Sequence, residues 1–330
     1  MNTIKPFKVI NGEELMDMDY KPVRYIVKNL LSQGLTVLAG APKTGKSFLA
    51  LELCIAVSKG EKLWNFETTK GTVLYLCFED NAERLQNRIY TMTDDIPSNL
   101  YFCWEVSTLG YGLEEKVNLF LEEHKDTVLI VIDTFQCIRP QGADYSYGND
   151  YKELQILKNI ADKFHISILL VHHLRKQENK DYFHMISGTT GIQGASDNCF
   201  VMTEKERGSG KVKLYILGRD IEKRELELER NENNIWIKIY DSLDNRRIEK
   251  DDITEIIKEY MNKNDVLIGE PITVAKILSE SSNKEISHLT LLKRLKKNAN
   301  ELLNNGFSFK TRRSNGKRII EIVKIVTVEK

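Results

Sequence analysis

From residue 34 to about 245, short apolar runs rich in β-branched residues alternate with longer amphipathic stretches. The runs at Leu35–Ala39, Thr72–Phe78, Thr127–Asp133 and Ile166–His172 have the length and continuity of strands buried on both faces. Between them, Ser47–Ser58, Ala82–Thr91, Leu113–His124 and Tyr151–Phe164 read as helices. Strands separated by helices imply a parallel sheet with right-handed crossovers, hence an α/β fold. Three later runs, Cys199–Thr203, Val212–Leu217 and Trp236–Ile239, follow one another without helices, as in an antiparallel or mixed extension.

The pattern then changes. DSLDNRRIEKDD, residues 241–252, is charged and without apolar periodicity, and the linker is assigned to its second half, 246–252. A large α/β domain is therefore expected over 1–245, with a lead-in at 1–33, and a separate small domain over 253–330. In that small domain helices are expected at Ile253–Met261, Thr273–Ser279 and Ser287–Leu303. A hairpin, Phe307–Arg312 with Arg318–Val323, turns through Ser314-Asn315-Gly316, where Asn-Gly signals a tight turn. Three helices and a hairpin describe a winged helix-turn-helix. Its longest helix is expected to bury Leu289, Leu292, Leu295, Ala299, Leu302 and Leu303.

Composition narrows the class. Apolar residues make up 41% and charged residues 29% of the chain, as in globular proteins, and 48 basic residues balance 48 acidic ones. No global field draws the chain to nucleic acid or membrane, so any basic patch is local. The start lacks the apolar segment of a secretory signal, no run is long enough to span a membrane, and the five cysteines are scattered without metal or disulfide spacing. The cytoplasm is the expected location.

The chemistry is concentrated in Gly40-Ala41-Pro42-Lys43-Thr44-Gly45-Lys46-Ser47, which fits the phosphate-binding pattern G-x-x-x-x-G-K-[ST]. Its glycines let backbone N–H groups curl around phosphates, and the helix beginning near Lys46 directs its positive end at them. Lys46 is placed for the β- and γ-phosphates of ATP, and the Ser47 hydroxyl for Mg²⁺. Asp133 ends an apolar strand and is the second expected contributor to the magnesium shell. The next residue is Thr134, so the arrangement with two adjacent acids is missing. Glu79, just past another strand, is the expected catalytic carboxylate, with Asp80 or Asn81 free to cap the following helix. His172 and His173 end a further strand, and either is placed to sense the γ-phosphate.

With PVRYIV, GAPKTGKS, LYLCFED, LIVIDT, LLVHH, SGTTGIQGASD and LYILGRD in order, the chain over about residues 15–245 resembles the RecA-like ATPases. More narrowly, it is similar to the plasmid RepA-type hexameric helicases and related mobile-element ATPases. The resemblance implies a homo-oligomeric ring, with a hexamer expected, and ATP hydrolysis at subunit interfaces. It also implies that Arg219 acts in trans on a neighbour's ATP; a pair with Asp197 or Asp220 is the alternative. Two loops, 139–149 and 175–187, would line a channel for single-stranded DNA, offering Arg139, Arg175, Lys176, Tyr145, Tyr147 and Tyr182.

From Lys284 onward, twelve basic and four acidic residues leave a net charge of +8. Lys293, Arg294 and Lys297 on the third helix, with Arg312, Arg313, Lys317 and Arg318 on the wing, are the expected contacts to duplex DNA. The function expected is a DNA-acting ATPase of plasmid or mobile-element replication, as helicase or helicase loader, working with replication proteins and not with a membrane. The alternative is a nucleotide-switched DNA-binding regulator or a protein-docking ATPase. The absence of an acceptor-binding lid after the loop argues against a small-molecule kinase.

Overall fold

The computed structural model describes residues 9–18, 23–140, 142, 146–175, 181–204, 206, 208–244 and 251–325. These fall into two compact units, Val23–Arg246 and a second that joins Met1–Pro22 to Arg247–Lys330. Helix α1 (Gly12–Asp17) belongs to the second unit; a reciprocal capping box between Asn11 and Glu14 starts it.

The larger unit opens with a small antiparallel pair, β1 (Tyr25–Val27) and β2 (Leu31–Ser32). There follow β3 (Gly34–Gly40), α2 (Lys46–Lys59), β4 (Thr72–Cys77), α3 (Ala82–Met92), β5 (Leu100–Cys103) and α4 (Leu113–Glu123). Next come β6 (Thr127–Asp133), α5 (Phe135–Ile138), α6 (Tyr147–Phe164), β7 (Ser167–His173) and α7 (Thr190–Ala195). The unit closes with β8 (Asn198–Glu204), β9 (Lys211–Gly218), β10 (Arg224–Arg230) and β11 (Trp236–Asp241).

Nine of these strands form one sheet in the order β11-β10-β9-β8-β3-β7-β6-β4-β5. The pairings from β8 through β3, β7, β6 and β4 to β5 are parallel; β8 to β11 are antiparallel. The expected α/β architecture with a largely parallel sheet is present. Strands β3 and β6 are buried along their whole length because helices cover both faces. One apolar layer packs α2 and α3 against the sheet, the other α4 and α6.

Two strands of this sheet escape the sequence pattern. β5 is a four-residue edge strand with only Leu100 buried. β10, Arg-Glu-Leu-Glu-Leu-Glu-Arg, alternates Leu226 and Leu228 in the core with glutamates that pair across to Lys211 and Lys213. Cross-strand ion pairs let so charged a segment hold a place in the sheet.

The second unit contains α8 (Ile253–Asn262), β12 (Val266–Gly269), α9 (Pro271–Ser282), α10 (His288–Lys297) and α11 (Ala299–Asn304), then β13 (Phe307–Ser314) and β14 (Lys317–Lys324). Its sheet runs β12-β14-β13, all antiparallel. Asn315 and Gly316 both adopt positive φ, 53° and 77°, as a two-residue turn of this hand requires. The single helix expected over Ser287–Leu303 is broken at Asn298. The buried set differs too: Leu291, Leu295 and Leu302 enter the core, whereas Leu289 is 81% and Leu303 55% exposed. Strand β12, absent from the sequence reading, completes the sheet with Leu267 inward and Val266 and Ile268 outward.

Candidate functional site

Parallel strands place their C-terminal ends on one edge, and that edge carries the chemistry. β3 runs into the phosphate-binding loop, and α2 leaves it from Gly45, whose φ is +89°. A Cβ on Gly45 would sit 2.6 Å from Cζ2 of Trp236, so the position demands glycine both for conformation and for space. Thr44 donates its hydroxyl to the Ala41 carbonyl at 2.9 Å, bracing the loop from within. Lys46, nearly buried, donates to the carbonyls of Gly40 at 2.9 Å and Ala41 at 2.8 Å. Burial lowers its pKa, opposed by the carboxylates of Asp133 and Glu79.

The loop opens on a cavity of about 400 Å³ lined by Pro42, Lys43, Gly45, Lys46, Ser47 and Phe48. Its other walls are Glu79, Arg88, Asp133, Thr134, His173 and Arg230. Asp133 ends β6 and is buried; Tyr75 donates its hydroxyl to Oδ2 at 2.8 Å. Burial raises the Asp133 pKa, while the nearby Ser47 and Tyr75 hydroxyls and the Lys46 ammonium hold it back. Oδ1 is buried without a regular hydrogen bond among the described residues. An orphaned carboxylate oxygen beside the Ser47 hydroxyl fits a magnesium ion that arrives with a nucleotide, since Mg²⁺ typically takes one or two protein oxygens and fills its shell with phosphates and water.

Glu79 lies two residues beyond β4, half exposed in the same cavity. Thr134 donates to its Oε1 at 2.8 Å, and His173 Nε2 stands 3.5 Å from the same oxygen. Asn81 caps α3 by accepting from Arg84 N, which leaves Asp80 to pair with Arg84 and Arg88.

The adjacent histidines have opposite surroundings. His173 lines the cavity, while His172 faces the interior, donates its Nε2–H to the Ser187 carbonyl at 2.9 Å, and packs edge-on against Phe135. Burial drives the His172 pKa down to about 4, so its ring is neutral at pH 7. Arg219 follows β9, outside this cavity. It contacts Asp197 Oδ1 at 3.2 Å and the Gly194 carbonyl at 3.2 Å, and its side chain is 57% exposed.

The loop residues also separate. Arg139 does not present its charge to solvent: it is buried, pairing with Asp150 at 2.7 Å and Glu153 at 2.8 Å, because α6 brings both acids against it. Tyr147 stacks with Tyr151, and Tyr182 stacks on Tyr215 with centroids 4.1 Å apart. Arg175 is exposed just past β7, while Lys176 and Tyr145 lie outside the described residues.

In the second unit Lys293 and Lys297 are exposed on α10. Arg294 instead turns inward to Asp251 at 2.6 Å and Asp252 at 2.9 Å, tying α10 to the start of α8. Arg312 lies 3.6 Å from Glu321, Arg313 pairs with Glu13 at 3.3 Å, and Lys317 with Glu270 at 2.7 Å. Arg318, half-buried, sits next to the turn.

The sequence pattern missed Phe48, Arg88, Thr134 and Arg230 as lining residues. Thr134 was visible only as the residue after Asp133, and Arg88 and Arg230 reach the cavity from a helix face and from β10, where no local motif marks them.

A loop of this form between a buried strand and a helix, facing a strand-end aspartate, defines a P-loop ATPase domain with a RecA-like core. A family model described as an AAA domain matches residues 13–179, just over half of the chain, and the chain belongs to that family. Among solved structures, the chain is similar to the ATPase domain of G40P, with a TM-score of 0.52 and 13% identity over 63% of this chain and 85% of that one. It is also similar to a DnaB-like replicative helicase whose structure was described with its primase interactions, with a TM-score of 0.52 and 12% identity. That match covers 64% of this chain and 58% of the helicase. No curated protein sequence matches. Among the described residues no helix is long and apolar enough to cross a membrane.

Proposed function

We propose that this chain is an ATP-driven, DNA-acting oligomer of plasmid or mobile-element replication, of helicase or helicase-loader type, working in the cytoplasm. The observation that carries the reading is the convergence of Lys46, Ser47, Asp133, Glu79 and His173 on one cavity at the sheet's catalytic edge. ATP would lie along the loop, its β- and γ-phosphates held by backbone N–H groups and Lys46. Ser47 and Asp133 would hold Mg²⁺, which supplies charge neutralisation between the phosphates. Glu79 would orient and deprotonate the attacking water, and His173 would sense the γ-phosphate through its neighbour Glu79. His172 acts behind it as a packed, neutral support.

Arg219 is assigned the trans role in a homo-oligomeric ring, with a hexamer expected. Among the described residues its half-exposed guanidinium pairs with one acid, Asp197, a contact that could be exchanged at an interface. The second unit, with its helix order, three-stranded sheet and tight hairpin, is read as a winged helix for duplex DNA. Lys293 and Lys297 on α10 and Arg312, Arg313, Lys317 and Arg318 on the hairpin are its proposed contacts, with Arg294 reassigned to structure. Arg175 remains the described candidate for single-stranded DNA.

The test is steady-state ATP hydrolysis across protein concentrations, with and without single-stranded DNA. Glu79→Gln should lower turnover by roughly 10²–10⁴-fold while ATP binding persists. Arg219→Ala should cost about 10³-fold or more in kcat and be rescued in mixed oligomers. Turnover indifferent to DNA, to concentration and to Glu79→Gln would replace the motor with a nucleotide-switched regulator.

A further inference from the structure

Trp236 begins β11, four places from β3 in the sheet order, yet its ring packs against the loop that β3 feeds. A Cβ on Gly45 would meet Cζ2 of this indole at 2.6 Å and Cε2 at 3.5 Å. The ring therefore fills the space where any other residue at position 45 would carry its side chain. It is 1% exposed and does not line the nucleotide cavity.

The backbone of Trp236 is held by side chains from two distant segments. Its N–H donates to Oε2 of Glu52 at 2.9 Å, and its carbonyl accepts from Nε1 of Trp64 at 2.7 Å. Glu52 belongs to α2, the helix that leaves the loop, so the ring and the loop are referenced to one element. Arg230, directly opposite Trp236 across the β10–β11 pair, lies 5.7 Å from the indole and 5.5 Å from the ring of Phe48. The hairpin tip thus contacts Gly45 and Phe48, the residues on either side of Lys46 and Ser47.

A phosphate loop works by presenting its N–H groups in a fixed curl. Gly45, at φ +89°, has no side chain with which to hold that curl itself. A rigid, buried ring pressed on it from outside the cavity supplies the restraint, and a loop already in its bound shape loses less entropy when phosphate arrives. We infer that Trp236 is a positioning residue for the phosphate loop, acting through Gly45 to set where Lys46 and Ser47 meet the phosphates. This role depends on the assignment of Lys46 and Ser47 made above. Glu79, Thr134 and His173 stand at the ends of other strands, so losing the ring weakens substrate and transition state alike.

Steady-state ATP hydrolysis and calorimetric titration with inorganic pyrophosphate, both on the full-length chain, test it. Trp236→Leu should raise KM for ATP and weaken pyrophosphate by about tenfold each, with kcat within about twofold. Trp236→Phe, which keeps a ring, should restore most of both. A ring that only stabilised the fold would instead reduce the active fraction, lowering apparent kcat at unchanged KM. That result, an unaltered KM and pyrophosphate affinity, or a Phe variant as weak as the Leu variant would overturn the role. Should Trp236→Leu fail to fold, Trp64→Phe releases the Trp236 carbonyl while leaving the indole in place. It should raise KM about threefold at unchanged kcat, and an unaltered KM there would overturn the role equally. Lys46→Ala is titrated alongside: if it binds pyrophosphate as tightly as the unsubstituted chain, the loop assignment itself fails, whatever the tryptophan variants show.

Discussion

The hydroxyl of Thr134 donates to Oε1 of Glu79 at 2.8 Å, joining the ends of β6 and β4 across the mouth of the cavity. A carboxylate that must direct a water needs its second oxygen fixed, and this bond fixes it. Thr134→Val should lower kcat about tenfold with little change in KM, the cost of one charge-assisted hydrogen bond, and Thr134→Ser should restore it. Steady-state kinetics on the three proteins decides the matter; equal rates in all three would deny Thr134 any positioning role.

Gly45 is held between a left-handed backbone and the Trp236 ring. Gly45→Ala has to absorb both strain and a 2.6 Å contact, so we expect a loss of about 1–3 kcal/mol in unfolding free energy together with loss of ATP binding. Chemical denaturation and calorimetry check the two effects separately.

His172 binds its proton in the native state only near pH 4, against an ordinary value of 6.5. The unfolded chain therefore takes up more protons than the native one between those values, and stability falls as the pH drops through that window. The contribution is on the order of 3 kcal/mol. Urea unfolding at pH 7 and pH 5 should show a smaller pH dependence in His172→Gln than in the unsubstituted chain.

Glu52 behaves in the opposite sense. It lies on α2, accepts from Trp236 N at 2.9 Å, and burial raises its pKa to about 7. Its folded pKa exceeds its unfolded value of 4.5, so the native state holds the extra proton between them and loses stability as the pH rises toward 7. Glu52→Gln keeps an acceptor without a charge and should stabilise the protein at pH 8, with little effect at pH 4.5. Thermal melts at the two pH values measure the difference.

Within the second unit, two neighbouring basic residues should separate by role. Lys293→Ala should reduce the salt dependence of duplex DNA binding by about one unit of slope. Arg294→Ala removes the tie to Asp251 and Asp252 and should cost roughly 2 kcal/mol of stability. Fluorescence anisotropy across salt concentrations and denaturation of the same variants distinguish the two.

Much of the core was legible because its signals are local. The phosphate loop is a contiguous motif, and strands buried on both faces, such as β3 and β6, read as unbroken apolar runs. Asp133 and Glu79 could be placed on one edge from strand polarity alone. By contrast β10 hides its strand character under glutamates that pair with its neighbour's lysines, and α10 hides its buried face because its leucines at 289, 291, 292 and 295 go all round the helix. Leu291 and Leu295, one turn apart, form the buried face of α10, and Leu289 stands on the opposite, exposed side.

What the sequence determined by itself was the fold class, the nucleotide loop and the acids at the strand ends, since each depends on the order of a few adjacent residues. Tertiary structure alone decided which histidine meets Glu79, that Arg139 and Arg294 are consumed in internal ion pairs, and that Arg88 and Arg230 reach the cavity. Charged side chains are long and their partners lie far away in the chain, so whether a given one faces solvent, an acid or a ligand is set by packing that no local pattern contains.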